Sequence, residues 1–438
     1  MKKNIVFLFV LAFVAVHAQS DSLRLSLTDA VTLGLKNRYD AQANAYNTAL
    51  SETDVNGKKN AWLPEINGSG TVRLNTQIQQ AYIPAGFAGL QDPMLVKFGA
   101  TNIAVFGLDL NQTVFNPNVK NDITIAKSQA ELQKQKDEQD KNFIRERITQ
   151  AYLNVLLRKL QAVITQDNEK RYNEYLLLAK GKYDAGALIE NEYLRSKLDY
   201  ENAKLETQKA KQNLSTAYAQ LAYQMNVPLN QPLALTDALS ALQIANLSQD
   251  VNYAYDHRED LSMLNQQRAL NELQITKAKQ AVIPSLSFYA NYSKQYTNMN
   301  FNFGESKWWT PYSFVGLNLR VPISAYYKDR SQIASQQLKA KQLDLQIQQR
   351  KSDIQYQYES AMADLQNASA NVTQTSESYN LAKRIYALQE EQVKSGSLLY
   401  SNLLDTERSL SLAEQNYVRA VYDLMVSQIN FQRAVGEL

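Results

Sequence analysis

Two stretches of alternating apolar and polar residues, each followed by a very long helical run, set the pattern of the chain. After Pro64, and again after Pro284, the hydrophobic period changes from helical to two, which predicts four strands in two hairpins. The apolar positions of the four strands are Ile66, Val72, Leu74 and Ile78; Ala104, Phe106, Leu108 and Leu110; Leu286, Phe288, Ala290 and Tyr292; and Val315, Leu317, Leu319 and Val321. The opposite faces carry Asn, Ser, Thr, Arg and Gln, so each predicted strand has one apolar and one polar face.

The helical runs that follow the hairpins are almost free of helix breakers. Residues 119–183 contain no proline and a single glycine, Gly181, and residues 327–393 contain neither. At 1.5 Å per residue each helix would be roughly 100 Å long. The second run has a heptad pattern, which indicates close packing against other helices. Its large positions are Tyr358, Leu365, Val372, Tyr379, Tyr386 and Val393, and its companion positions are Ile354, Ala361, Ala368, Thr375 and Ala382.

The chain is an internal duplication. Residues 183–226 align without a gap with residues 393–436 at an offset of 210, and Gly186 corresponds to Gly396. The helices before the strands align at an offset of 220, where Arg38 and Asp40 match Arg258 and Asp260. Runs of matches in one frame are typical of repeated structural units. Each half is therefore predicted to contain a helix, a β-hairpin and a long helical hairpin.

Residues 1–18 have the pattern of a secretory signal peptide. Lys2 and Lys3 precede an apolar core, and Val16-His17-Ala18 is a small-residue cleavage site. The alternative, an N-terminal membrane anchor, requires a longer apolar run. We therefore expect export of the mature chain.

Composition excludes several classes of function. The net charge of +3 gives no reason to expect nucleic acid as a partner, and the absence of cysteine excludes disulfides, thiolate zinc sites and iron–sulfur clusters. No catalytic, cofactor-binding or metal-binding motif is found. His257 stands in a connector beside Asp256 and Glu259, where a structural role is expected. The protein is predicted not to be an enzyme and to need no cofactor.

Four strands cannot close a barrel alone, and open edges favour aggregation. Three chains would supply twelve strands that close around water, with apolar faces toward lipid and aromatic residues near the strand ends. Two or four chains would also remove the edges. The alternative is a soluble coiled-coil rod that carries two small β-ribbons.

On these features the chain resembles the TolC-type outer-membrane efflux family. The motifs are Leu25-Ser-Leu-Thr-Asp-Ala30, Trp62-Leu-Pro64, Ile283-Pro284 and the two glycine turns. The resemblance implies a homotrimer in the outer membrane with a long periplasmic extension. The implied fold is mainly helical: long antiparallel helical hairpins form a trimeric α-barrel, and four strands per chain complete a 12-stranded barrel.

The predicted organisation follows the duplication. In order, the segments are a signal peptide (1–18), a helix of repeat 1 (19–64), β-hairpin 1 (65–117), long helical hairpin 1 (118–225), an equatorial connector (226–256), a helix of repeat 2 (257–284), β-hairpin 2 (285–325) and long helical hairpin 2 (326–438).

The resemblance also implies sites at the two helical turns. In the family, adaptor hairpins dock at these periplasmic tips. The corresponding residues here are Gly186-Ala187-Leu188 and Gly396-Ser397-Leu398. Glycine suits a turn that needs positive φ, and an exposed leucine offers an apolar contact. Either leucine is alternatively a core residue of a simple helical hairpin.

The family narrows its periplasmic entrance with two aspartates that stand six and nine residues after the second glycine. Here these positions are Asn402 and Asp405, so only one acidic residue is retained. A three-fold ring of Asp405 would favour cations. Tyr400 is a further candidate for the aperture, and the alternative for Asp405 is a solvated helix residue.

The implied function is a channel that gives passive exit to substrates driven by an inner-membrane pump, proton-driven or ATP-driven, through a periplasmic adaptor. Multidrug or toxic-compound efflux is the expected role. A duct for type I protein secretion is the alternative within the family, and a non-transporting coiled-coil scaffold or adhesin is the alternative outside it.

Overall fold

A computed structural model describes residues 23–89, 91–237, 250–395, 397–398 and 400–437. Helix predominates. The helices are α1 (Leu27–Asn37), α2 (Tyr39–Lys59), α3 (Pro117–Asp184), α4 (Glu190–Gln224), α5 (Val251–His257), α6 (Glu259–Gln280), α7 (Ala325–Lys394) and α8 (Tyr400–Val435). The predicted signal peptide lies outside the described residues.

The strands form one principal sheet and two small ones. They are β1 (Leu23–Leu25), β2 (Glu65–Leu74), β3 (Gln80–Ile83), β4 (Met94–Lys97), β5 (Asn102–Phe115), β6 (Leu233–Leu235), β7 (Ser285–Asn298) and β8 (Trp309–Arg320). The principal sheet is antiparallel in the order β2-β5-β7-β8. β3 pairs with β4 in the long connection between β2 and β5, a small hairpin that the period-two pattern did not predict.

The strand register continues the predicted faces across the whole sheet. Ile66 pairs with Leu110, Leu110 with Ala290, and Ala290 with Val315, so one row of apolar residues crosses all four strands. Most large side chains on this face are exposed in the chain: Ile66, Val72, Leu108, Tyr292, Val315, Leu317 and Leu319. The next residue along each strand faces the other way, and polar residues predominate there. The four-strand prediction is therefore confirmed, including the amphipathic faces, except that Ile78 lies beyond the end of β2 and Val321 beyond the end of β8.

The helix of repeat 1, predicted within residues 19–64, is two helices. The capping box at Ser26 and Asp29 is present, but α1 ends at Arg38, whose backbone is extended at φ −68° and ψ 130°. The same interruption recurs in the second repeat, where Arg258 ends α5 at φ −69° and ψ 116°. The sequence match between Arg38 and Arg258 therefore marks a helix break that both repeats share. The prediction of an unbroken helix was wrong.

The chain divides into two compact units, residues 1–44, 138–259 and 352–438, and residues 45–137 and 260–351. The second unit contains the principal sheet. The first contains the largest core cluster, in which Ile148, Tyr152 and Leu221 are fully buried. β1 and β6 form a parallel pair beside this cluster. The Tyr152 hydroxyl donates to Asp237 at 2.9 Å, and burial together with Asp237 raises the pKa of Tyr152.

The heptad of the second long helix corresponds to its buried face. Ile354, Ala361, Tyr386 and Val393 of α7 are buried, and the other heptad positions are half-buried. Residues between them are mostly exposed, as a helix with one packed stripe requires.

Candidate functional site

The turn between α3 and α4 has the hydrogen bonds of a glycine-terminated helix. Gly186 adopts φ +70°, a left-handed conformation that glycine reaches without steric cost. The Ala187 amide donates to the Lys182 carbonyl at 2.8 Å, and the Ala185 amide donates to Gly181 at 3.1 Å. These bonds satisfy carbonyls that would otherwise be unpaired at the end of α3. Ala187 is exposed and Leu188 is half-exposed.

The turn between α7 and α8 repeats this pattern 210 residues later. The Ser397 amide donates to Gln392 at 2.9 Å, and the Ser395 amide donates to Glu391 at 3.0 Å. Gly396, the predicted turn residue, lies outside the described part of the chain. Leu398 is half-buried and packs against a cluster that contains Tyr386, Val393 and Leu403.

The predicted aperture residues lie on the first turns of α8. Asn402 and Asp405 are exposed, and the side chain of Asp405 is 76% accessible. Arg408 approaches Asp405 at 3.8 Å and also bonds Asp199 of α4 at 3.2 Å. Tyr400 begins α8, but its side chain is outside the described structure. The carboxylate of Asp405 is thus free to meet solvent and ions.

A buried ion pair behind Asp405 was not foreseen from the sequence. Glu407 of α8 is fully buried, and its Oε1 accepts a hydrogen bond from Nε of Arg171 of α3 at 2.8 Å. Its other oxygen, Oε2, has no hydrogen-bond partner among the described residues. One turn farther along α8, Ser411 receives a hydrogen bond from Asn168 at 2.7 Å. These contacts join α8 to α3 over two helical turns.

Burial dominates the electrostatics of this pair. Desolvation raises the pKa of the Glu407 carboxyl above its usual value, and Arg171 opposes part of that shift. Two tyrosines complete the surroundings, since the Tyr175 and Tyr386 hydroxyls lie 2.6 Å apart and the Arg171 guanidinium lies 5.8 Å from the Tyr386 ring. Only one weak signal for this network is present in the sequence, an acidic residue, Glu407, among the leucines of α8.

A polar cavity of about 380 Å³ lies between α3, α4 and α8. Asn168, Tyr172, Asp199, Asn202, Arg408 and Gln415 are among its lining residues. Within the described residues no group of three or more His, Asp or Glu side chains has the arrangement of a metal site.

Comparison with known proteins gives one consistent result. The model of the outer membrane efflux protein family matches residues 31–244 and 251–437. The chain belongs to the outer membrane efflux protein family. Membership assigns it to the outer membrane, as an efflux channel protein and not an enzyme.

Individual relatives of the family are distant in sequence and similar in fold. The outer membrane efflux protein BepC of Brucella suis is 21% identical over the full chain and 91% of that relative. The Campylobacter jejuni CmeC channel has a TM-score of 0.74 at 16% identity, over 94% of this chain and 85% of that one. The open state of the Neisseria gonorrhoeae MtrE channel has a TM-score of 0.73 at 15% identity, over 94% and 88%.

Two further observations complete the description of this efflux protein. In the part of the chain that the structure describes, the helices lack the combination of length and apolar character required for a membrane span. His257, the one histidine outside the predicted signal peptide, stacks on Tyr253 with ring centroids 3.8 Å apart. Its Nδ1 lies 2.9 Å from the Tyr253 carbonyl, so the exposed His257 side chain contacts its own helix at the end of α5.

Proposed function

We propose that three copies of this protein form an outer-membrane channel that gives passive exit to substrates, toxic small molecules in particular. An inner-membrane pump supplies the energy, and a periplasmic adaptor links the pump to the channel. The observation that carries this proposal is the amphipathic four-stranded sheet, with β2 and β8 as its outer strands and an exposed apolar face.

The sheet exposes an apolar face and a polar face, so each face requires a different solvent. Lipid suits the face that carries Ile66, Leu108 and Leu317, and water suits the face that carries Asn67, Asp109 and Asn291. Pairing β8 of one chain with β2 of the next removes both open edges. Three chains then give twelve strands around a polar lumen, consistent with membership of the efflux family.

An aromatic cluster at one end of the apolar face supports a membrane position. Trp309 lies near Phe106, Tyr296 and Phe303, with ring centroids 5.4–6.0 Å apart. The Lys294 ammonium lies 6.0 Å from the Trp309 ring. Aromatic rings with nearby basic groups are favoured at the boundary between hydrocarbon and lipid headgroups. We place this cluster at a membrane–water interface.

The two helical turns are proposed as the adaptor-docking tips. Ala187 and Ser397 are exposed at matching positions, and Leu188 and Leu398 beside them retain accessible apolar surface. A tip of this kind offers a small apolar contact next to exposed residues, which suits a helical hairpin partner.

We propose the second tip as the gate. A ring of three Asp405 carboxylates would favour cations at the periplasmic entrance. Because Asn402 occupies the position of the family's other aspartate, this ring has only one acidic residue per chain. The buried Arg171–Glu407 pair supports the proposal because it holds the helix that carries Asp405 against α3.

Single-channel recording tests the channel function. The purified full-length protein, inserted in a planar bilayer, is expected to give discrete conductance steps. Protein that inserts, as judged by protease protection, and never conducts would rule out the channel and favour a scaffold.

Cross-linking tests the tips, and the lack of cysteine in the chain makes single-site labelling specific. Ala187→Cys or Ser397→Cys, carrying a photoreactive maleimide in the native cell envelope, is expected to capture a membrane-fusion adaptor identified by mass spectrometry. Gln208→Cys, an exposed site farther along α4, is the matched control. Equal capture from all three positions, or none from the tips, would contradict tip docking.

A further inference from the structure

The polar face of the principal sheet contains an aromatic patch that its polar pattern does not predict. Tyr289 of β7 and Phe314 of β8 both project from this face, on neighbouring strands. Their ring centroids lie 5.9 Å apart at an interplanar angle of 65°, an edge-to-face pair. Both rings remain substantially exposed in the chain.

The lack of a side chain at Gly316 makes room for this aromatic pair. It lies directly opposite Tyr289 in the register, and a Cβ at Gly316 would come within 2.7 Å of the tyrosine ring. The ring of Tyr289 therefore occupies space that a side chain at position 316 would otherwise fill. The same device occurs on the apolar face, where Phe106 lies over Gly70. On the polar face, however, the covering ring is exposed to the solvent of the proposed lumen.

Two acidic residues share this face of the sheet with the pair, each two strands away from one of its rings. The register forms one row of Asn67, Asp109, Asn291 and Phe314, and an adjacent row of Glu65, Asn111, Tyr289 and Gly316. Neither row contains Lys or Arg. Asp109 is held in place by hydrogen bonds from Asn291 at 2.7 Å and from Ser69 at 3.3 Å. The patch thus combines two aromatic faces with two carboxylates.

The spacing fits a flat organic cation. Asp109 and Phe314 lie two strands apart, which corresponds to about 10 Å between their backbones. A planar aromatic cation of that width would stack on an aromatic ring while its charge faces a carboxylate. Cation–π and stacking contacts reward this combination over a purely aliphatic cation.

We propose that Tyr289, Phe314, Asp109 and Glu65 form a recognition band for planar aromatic cations on the wall of the lumen. This inference rests on the proposed channel, because only in a lumen would transported molecules pass this face. Three-fold symmetry would repeat the band three times at one depth. The band would then favour aromatic cations over aromatic anions and over aliphatic cations of similar size.

Current block in the reconstituted channel tests the band, with ethidium as the planar aromatic cation, hexylammonium as the aliphatic cation and 2-naphthalenesulfonate as the aromatic anion. Ethidium is expected to block at the lowest concentration. The double variant Tyr289→Leu/Phe314→Leu should raise the half-blocking concentration of ethidium about tenfold, as expected for loss of stacking and cation–π contacts. Its block by hexylammonium, which cannot stack on an aromatic ring, should change far less. Asp109→Asn should weaken the block by both cations.

Leucine keeps an apolar side chain over Gly316, so the sheet retains its packing. Tyr292→Leu is the matched control, because Tyr292 is an exposed tyrosine of the same strand on the opposite face. It should leave ethidium block unchanged. Ethidium fluorescence titration of the purified full-length proteins provides a second readout for any variant that inserts poorly.

Equal ethidium block in the wild type and the double leucine variant, or equal loss of the two cation blocks, would overturn the band. Conducting wild-type channels that ethidium does not block preferentially would also overturn it and leave the proposed channel intact. A wild-type protein that never conducts would refute the channel itself, which is a distinguishable result.

Discussion

The two helical turns have matching capping hydrogen bonds in their described residues and different side-chain packing. Their capping hydrogen bonds match at an offset of 210 residues, within 0.1 Å. In the first turn, the rings of Tyr183 and Tyr193 stack with centroids 5.2 Å apart and remain partly exposed. The corresponding Val393 and Leu403 of the second turn are buried.

This difference shows that the two repeats share their backbone hydrogen bonds at the turn but not the packing of the side chains around it. Glycine at the turn and the carbonyls at the helix end determine the backbone, and both copies need the same solution. Side chains around the turn carry no such requirement. In the second copy, Leu403 lies in a buried apolar cluster and Glu407 is buried against Arg171 of α3, whereas Lys197, which corresponds to Glu407 in the first copy, is exposed. We infer that α8 is anchored near the second turn by contacts that α4 lacks at the corresponding positions near the first turn.

Removing the buried carboxylate should have the largest effect. Glu407→Ala leaves Arg171 without its partner and opens a cavity, so the free energy of unfolding should fall by about 3 kcal/mol. Chemical denaturation in detergent, followed by circular dichroism of the helices, measures this loss. The matched variant Lys197→Ala should change stability little. Similar losses in the two variants would show that the turns are equally anchored.

Truncation of the apolar clusters should give the next largest effect. Leu403 is almost fully buried, so Leu403→Ala should cost about 2–3 kcal/mol. Tyr193→Ala, its counterpart, removes a partly exposed stacking contact and should cost about 1 kcal/mol. The same denaturation experiment compares them. A larger loss for Tyr193→Ala would reverse the assignment of the anchored turn.

The pH dependence of stability that Glu407 causes is a more specific test, with a smaller expected effect. Because the folded-state pKa of Glu407 is raised, the folded protein binds its proton more tightly than the unfolded chain does. The resulting stabilisation is fully present below the unfolded-state value near 4.5 and is lost as pH rises through the folded-state value. Relative to Glu407→Gln, the wild type should therefore gain stability as pH falls from 7 toward 4.5. A constant difference across this range would refute the raised pKa.

Asp405→Ala should have the smallest effect. One exposed carboxylate per chain acts through water and salt, so the cation-to-anion permeability ratio should fall by roughly twofold. Reversal potentials in a salt gradient measure the ratio. Arg195→Ala, at the corresponding position of the first hairpin, is the control and should leave the ratio nearly unchanged.

Local patterns made much of the fold predictable. Alternation located four strands and their faces because each side chain's direction follows from its parity in the strand. The α7 heptad located a buried stripe for the same kind of reason. The breaks at Arg38 and Arg258 were missed because helix formers on both sides conceal a change in backbone direction.

The site was less predictable because it depends on contacts between distant residues. Arg171 and Glu407 are 236 positions apart, and neither stands in a motif that reports the other. Tyr289 and Phe314 are polar-face residues whose meaning depends on strand register and on Gly316 opposite them. The sequence predicted the two turns and the position of Asp405 next to the second one. The Arg171–Glu407 pairing depends on the tertiary structure and was not predicted.

Cysteine modification of the open channel tests the claim that the second turn is the gate most directly. Asp405→Cys and Arg195→Cys place single thiols at corresponding positions of the two hairpins in a chain that otherwise has none. A bulky maleimide should lower single-channel conductance strongly at position 405 and leave it nearly unchanged at position 195. Equal reduction at both positions, or an unchanged conductance after complete modification at 405, would contradict the account.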